Sequence, residues 1–486
     1  MLFPSIPFIF YFLPAALLLY WIIPATLKNP LLLLISLTFY AWGEPAFLLP
    51  MFFLIIVNYI QGRRLDGADN PLYKKKVITS TVILNVATLL SVLYFNHLAG
   101  LITNWLGLNP LSFQVPRPLG LSFFTLQAMT YVFEIARGKV EPEKSIINVG
   151  LFIAFFPTVL FGPIIRYTDL ADQIRQRQTS LESFGAGWER CVVGLAKLVI
   201  LAIPLNDVAM SIFTNSALAD QVGSTPMTLA WFGLLAFSLQ FYLAFSGYSD
   251  MAIGLARMFG FSLKENFNYP YTAHSVTNFW ERWNISLYRW FYVYVFLALG
   301  GRRPKRVVIG RALKPRNFAL RNYFVLWMLI GLWHGISWNT LAFGVWFFIF
   351  ALFEWIISLE QKEKSTWLRG LYVLPVVAVG WVFLGCQSLS DSLTYISNLL
   401  GINNNGFYGD MVGVYLKECW HIIVLGILAS TPVMSRILGW VEQRKNSLAR
   451  YFSAMVHILI MLGLVYFCCA YVNEMPAVPL IRFPNF

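Results

Sequence analysis

The sequence predicts an all-α polytopic integral membrane protein. Three observations carry that reading: 58% of the 486 residues are hydrophobic and only 12% charged, apolar runs of spanning length recur, and the basic residues collect in loops between them. An average soluble domain carries roughly 25% charged residues, so water could not solvate this chain. In lipid the backbone finds no hydrogen-bond partner, and a helix of about 20 apolar residues satisfies its own polar groups across the hydrocarbon core. Counting on that basis gives about ten to thirteen membrane segments, with short re-entrant helices among them.

The segments follow in order. Met1 to Phe12 has no positive charge before its apolar run and no small-residue cleavage site, so it reads as the first span and not as a cleaved signal. Pro30 to Trp42, Leu151 to Phe161 and Tyr323 to Trp333 are apolar but short, and are expected to be tilted, paired or re-entrant. Val77 to Phe95 and Tyr451 to Tyr471 have full length, and Trp188 to Phe213, Leu229 to Leu243, Leu341 to Ser358 and His421 to Ile437 meet or approach it. No linker, internal repeat or low-complexity block interrupts the sequence, so residues 1–486 are expected to form a single transmembrane domain.

The formal net charge is +13. Nucleic acid is a poor explanation, because spans separate the basic residues; cytoplasmic loops enriched in Lys and Arg, in contact with membrane lipids, explain them better. One such loop, Gln61 to Lys76, holds Arg63, Arg64, Lys74, Lys75 and Lys76, and a second, Arg302 to Arg321, holds eight cations and no acid. Placing both inside, with Lys28 inside and Glu44 outside, puts the amino terminus on the extracytoplasmic side. The five cysteines, Cys191, Cys386, Cys419, Cys468 and Cys469, lack C-x-x-C spacing and read as small buried hydrophobes, so no metal site is expected.

Three stretches break the pattern. From Phe245 to Arg321 polar, aromatic and apolar residues mix without a full-length span, and such backbone can sit at membrane depth only when protein or a water-filled cavity surrounds it. Pro116, Pro118 and Gly120 open a second mixed stretch, and Pro157, Gly162 and Pro163 break a third just before Arg166. These read equally as broken helices whose ends face a ligand or as loops at the membrane surface.

His334 stands in Trp327 to Trp338, a window without a formal charge, and an ionisable residue inside a membrane segment is a functional candidate. A neutral packing histidine bonded to a carbonyl is the alternative. An imidazole kept neutral by an apolar setting is ready to take a hydroxyl proton, and Gly335 lets backbone or substrate approach closely. Asn284 offers an amide that can orient a hydroxyl or stabilise an oxyanion. Arg282 reads first as an ion pair with Glu281, Asp250 first as a helix cap, and Gln127 with Glu134 as one helix face that either lines a cavity or joins helices. The remaining histidines read as structural. No H-E-x-x-H, Walker A or dinucleotide glycine pattern occurs, and GISWN from Gly335 fails the G-x-S-x-G elbow at its last position. A transporter would carry internal repeats and intramembrane acids, and neither is read here.

Several blocks, taken together in order and spacing, resemble the membrane-bound O-acyltransferase family in its bacterial alginate O-acetyltransferase branch. They are PLGLSFFTLQAMTYVFEIARG from Pro118, FFPTVLFGPIIRY from Phe155, FSGYSDMAIGLARMFGF from Phe245, ENFNYPY from Glu265, FWERWNISLYRW from Phe279, GLWHGISWN from Gly331, GWVFLGCQSLSDSL from Gly380 and the carboxyl end PLIRFPNF. The resemblance implies a helical funnel with His334 at its centre and no bound cofactor. The implied donor is acetyl-CoA or another acyl thioester, the implied partner an extracytoplasmic transferase of the SGNH type, and the implied location the bacterial inner membrane. It makes His334 and Asn284 the catalytic candidates, and Gln127, Arg166, Asp250, Arg282, Trp333 and Asn339 candidates for lining the substrate path.

Departures from the branch are also legible. Phe347 stands where a second histidine is usual, Ala244 replaces an aspartate, Tyr292 and Val293 replace an Arg-Asp pair, and Gly385 replaces an arginine. RWNISL replaces RWHISL, and Asn284 with a tryptophan six residues on resembles the wider superfamily. Two readings follow: an active O-acetyltransferase with a rearranged surround, which is preferred because an idle buried histidine is costly, or a catalytically reduced scaffold or conduit for a partner transferase. D-alanyl transfer to teichoic acid is the rival within the family.

Overall fold

The structure, a computed structural model, describes residues 2–107, 115–213, 225–300, 317–357, 367–404, 406–444 and 447–474. Among the described residues every regular element is helical. Seven helices are long and apolar enough to cross a membrane: Pro45–Arg64, Pro71–Leu93, Leu181–Phe213, Met227–Met258, Trp338–Ile356, Met411–Ala429 and Ser453–Glu474. Pro7–Ile22, Leu121–Ala136, Leu320–Trp333 and Gly370–Gly385 are shorter apolar helices. This is the all-α polytopic class read from the sequence. Residues 302–316 of the second basic loop and the carboxyl end from Pro479 lie outside the described residues.

Three boundaries differ from expectation. The span expected from His421 to Ile437 runs instead over Met411–Ala429. Ser430 and Thr431 turn their hydroxyls back onto the carbonyls of Gly426 and Leu428, and Pro432, which disfavours helix at the residue before it, precedes the next helix, Val433–Arg444. A span over Leu48–Arg64, missed because Asn58 and Gln61 interrupt its apolar run, is regular helix. Its buried Asn58 exchanges side-chain hydrogen bonds with Asn85 of the Pro71–Leu93 helix, at 2.9 and 3.2 Å.

The largest correction concerns the mixed region expected to begin at Phe245. Its first part, to Met258, completes a 32-residue helix, Met227–Met258. At 1.5 Å per residue this is about 48 Å long, well over the roughly 30 Å hydrocarbon thickness. The polar residues that disguised it are satisfied by protein: Asp250 accepts from Arg190 at 2.9 and 3.1 Å. Genuine irregularity starts at Phe259 and includes only short helices, Pro270–Thr272, Val276–Trp280 and Ile285–Phe291.

The described chain forms two compact units, the first of Met1–Cys191 with Ser249–Lys264 and the second of Val192–Tyr248 with Glu265–Phe486. In the first, the stretch expected to be broken is broken: helix Ile146–Ala154 stops, Phe156–Val159 makes one turn, and helix resumes at Tyr167–Arg175. Nearly all of this stretch is buried, so it is no surface loop. The RPLGL stretch, by contrast, gives a regular helix, Leu121–Ala136, after the turn at Gly120. In the second unit, Ser453–Glu474 is apolar around its circumference, with Ile458, Leu459, Leu462, Tyr466 and Phe467 exposed, as a lipid-facing span would be.

Candidate active site

His334 occupies the turn between two helices, Asn317–Trp333 and Trp338–Ile356. The turn requires glycine at position 335, whose φ of 145° an L side chain rarely adopts. Ser337 and Thr340 then form a capping box: the Ser337 hydroxyl accepts from the Thr340 N–H, and the Thr340 hydroxyl accepts from the Ser337 N–H, each at 3.2 Å. The same Thr340 hydroxyl contacts the carbonyl of Gly335 at 2.6 Å. The two helices meet backbone to backbone. A Cβ on Gly331 would collide with the carbonyl oxygen of Thr340, and one on Gly344 would lie 2.6 Å from that of Trp327. Without hydrophobic drive between helices in lipid, such close approach of small residues is a main source of association.

The imidazole is buried, 8% exposed, and is walled by rings. Trp333 meets it edge-on at 4.9 Å and Phe343 at 5.2 Å. Phe343 faces Trp381 at 6.1 Å, and Trp381 faces Trp283 at 4.8 Å. A continuous series of rings therefore runs from His334 to the residue before Asn284. Phe347 stands in the same shell, 4.9 Å from Trp280 and 5.6 Å from Trp327. Gly380 makes room for it, since a Cβ there would be 2.5 Å from the Phe347 ring. The place where the resembling branch carries a second histidine is thus filled with close-packed hydrocarbon.

Asn284 is buried and lies in the left-handed region, φ 38° and ψ 57°, at the start of helix Ile285–Phe291. Asparagine tolerates this conformation better than most residues. Asn266 clasps it. The Asn266 Oδ1 accepts from the Ser286 N–H at 2.9 Å, which fixes the flip of that amide, and its Nδ2 donates to the Asn284 Oδ1 at 3.2 Å. The Asn284 Nδ2 is the part of its amide that this clasp does not use, and it is a donor.

The other candidates are tied into the fold. Asn339 donates to the carbonyl of Cys386 at 2.9 Å, joining two helices of the second unit. Arg282 does not make the expected pair with Glu281: it donates to the Thr272 hydroxyl at 3.2 Å, while Glu281 accepts from Asn278 at 3.5 Å. In the first unit, Gln127 joins helices, donating to the carbonyl of Phe152 and accepting from the N–H of Ile165 at 3.2 Å. Asp250 is not a cap but lies inside its helix, paired with Arg190. Arg166 precedes helix Tyr167–Arg175 and lies 3.4 Å from Asp169, which Lys264 also meets at 2.6 Å. A cavity of about 140 Å³ in this unit is lined by Leu2, Phe39, Tyr40, Glu44, Leu119 and Leu160 and by none of the candidate residues. Burial raises the Glu44 carboxyl above its usual range, offset in part by a hydrogen bond from the Leu119 backbone.

Sequence reading missed two side chains. Asn266 has no signal of its own in ENFNYPY. Glu354 has one: it is the sole charged residue from Leu341 to Ile356, an intramembrane acid where none was read. The rule that singled out His334 would have found it.

The seven described helices long and apolar enough to cross a membrane make this a polytopic helical membrane protein. A sequence profile described as the membrane-bound O-acyltransferase family matches residues 72–389, and the chain belongs to that family. Among its relatives is the probable alginate O-acetylase of Azotobacter vinelandii, 34% identical over 396 residues that cover 80% of this chain and 76% of the relative. The peptidoglycan O-acetyltransferase of Helicobacter pylori is 28% identical over 448 residues, covering 83% and 80%. The teichoic acid D-alanyltransferase of Bacillus subtilis is 26% identical over 271 residues, covering 54% and 64%.

Proposed function

We propose that the chain is an O-acetyltransferase of the bacterial inner membrane that moves acetyl groups from a cytoplasmic thioester, acetyl-CoA, toward the hydroxyls of an extracellular or cell-wall polysaccharide. The observation that carries this reading is His334, held at a glycine-packed turn inside a ring-lined shell in a chain of the O-acyltransferase family. An acceptor oxygen attacks the thioester carbonyl carbon as its proton passes to the neutral imidazole. The carbon–sulfur bond breaks, the imidazole returns the proton to the departing thiolate, and ester and thiol are the products. Asn284, whose Nδ2 is not engaged by Asn266, donates to the oxyanion that forms on the carbonyl oxygen. The residues act as one transmembrane domain, with the basic loops and the donor inside and the amino terminus outside. An SGNH-type transferase on the outer side supplies that acceptor hydroxyl; a polymer hydroxyl then attacks the new ester, takes the acetyl group and leaves the transferase hydroxyl free again.

D-alanyl transfer is the competing chemistry, and donor use separates the two. Vesicles containing the chain, its SGNH-type partner and polymer should incorporate radiolabel from acetyl-CoA and none from carrier-bound D-alanine. Label from the carrier alone would overturn the acetyl assignment. Reporter fusions at Lys75 and Lys305 should both read cytoplasmic; an extracytoplasmic signal at either would reverse the sidedness.

A further inference from the structure

Glu354 is fully buried in the Trp338–Ile356 helix, and a carboxylate there is costly unless polar groups meet it. Three do. It accepts from the backbone N–H of Val276, and from the N–H and hydroxyl of Thr277 at 3.0 and 3.1 Å. These N–H groups open the five-residue helix Val276–Trp280, where the first donors of a helix have no partner of their own. Ser275 takes a third, the N–H of Asn278, at 2.9 Å.

Positions 343, 347 and 354 share one face of the Trp338–Ile356 helix. That face grips the short segment at both ends: Phe343 and Phe347 hold the Trp280 ring at 5.9 and 4.9 Å, and Glu354 holds Val276 and Thr277. Phe343 is also a ring against His334, and Asn284 lies four residues beyond Trp280. Ring contacts allow sliding, whereas hydrogen bonds to the two carboxyl oxygens are directional. We propose that Glu354 is the positioning residue that sets the register of the Asn284 segment against the His334 turn. The inference rests on the acyl-transfer reading of those two residues.

Glu354→Gln keeps the volume but turns an NH2 group toward an N–H donor. In the full-length protein reconstituted in vesicles with radiolabelled acetyl-CoA, it is expected to lower kcat by about tenfold or more, with KM for acetyl-CoA changed by less than about twofold. Deuterium exchange over residues 276–285 should quicken, and Glu354→Asp, which keeps the carboxyl group, should recover part of kcat. If Glu354→Gln does not accumulate, Thr277→Val, which removes one hydroxyl donor, is expected to lower kcat by about threefold at unchanged KM. Unchanged kcat in whichever variant accumulates, or a rise in KM alone, overturns the proposal. His334→Ala measured in parallel keeps the two readings apart. Full transfer without the histidine would defeat the acyl-transfer site, while the exchange rates over 276–285 still report whether Glu354 holds the segment.

Discussion

Two breaks between helices among the described residues are closed by opposite means. At Phe155 to Arg166 in the first unit, backbone groups freed by the break go to side chains from distant helices: Gln127 takes the Phe152 carbonyl and Ile165 N–H, and the Ser36 hydroxyl takes the N–H of Phe156 at 3.0 Å. At His334 to Ser337 in the second unit, closure is local, through Gly335, Ser337 and Thr340, within one hairpin. The first break is sewn into the fold by polar side chains. The second presents an imidazole to a shell of aromatic rings. A break in helix is therefore not by itself a site; what matters is which side chains its closure consumes.

Asn284→Gly breaks the comparison hardest. Glycine keeps the left-handed backbone but removes the amide, and loss of an oxyanion donor should slow acetyl transfer by about 10²–10³-fold, read as initial rates in vesicles. Next is the hairpin. Gly344→Ala inserts a methyl against the Trp327 carbonyl, and overpacking of this kind should cost about 1–3 kcal/mol, seen as a lower Tm in detergent together with lost transfer. Gln127→Leu should destabilise by about 1 kcal/mol for each orphaned backbone group while leaving kcat per folded molecule unchanged. A large kcat loss there would mean the first break is also a site. Asp250→Asn should have the smallest effect, about 1 kcal/mol, because the amide oxygen can still accept from Arg190.

Hydropathy made the spans legible because lipid imposes it on every helix it touches. Proline and glycine likewise announced the break before Arg166. What stayed hidden was long-range. Asp250, inside the Met227–Met258 helix, is met by Arg190 sixty positions away, and no local pattern foretells that pairing. Asp250 looked like a cap for the same reason. Around His334, the histidine and Gly335 were readable, but Ser337 was seen only inside a failed nucleophile elbow and Thr340, just beyond it, was not singled out, so their capping box stayed hidden. The Asn266 clasp joins two loops eighteen residues apart and has no sequence signature. Phe347 was legible as a departure, and its physical meaning came from Gly380, which opens the space its ring fills.

The central claim is that the His334 imidazole moves the proton that acyl transfer requires. The most direct measurement is the rate of acetyl transfer from radiolabelled acetyl-CoA by reconstituted His334→Ala, with Tm and size-exclusion profile matched to the unmodified protein. Loss of a general base should reduce that rate by about 10²–10⁴-fold with the fold intact. A well-folded variant that transfers acetyl at the unmodified rate would contradict the account.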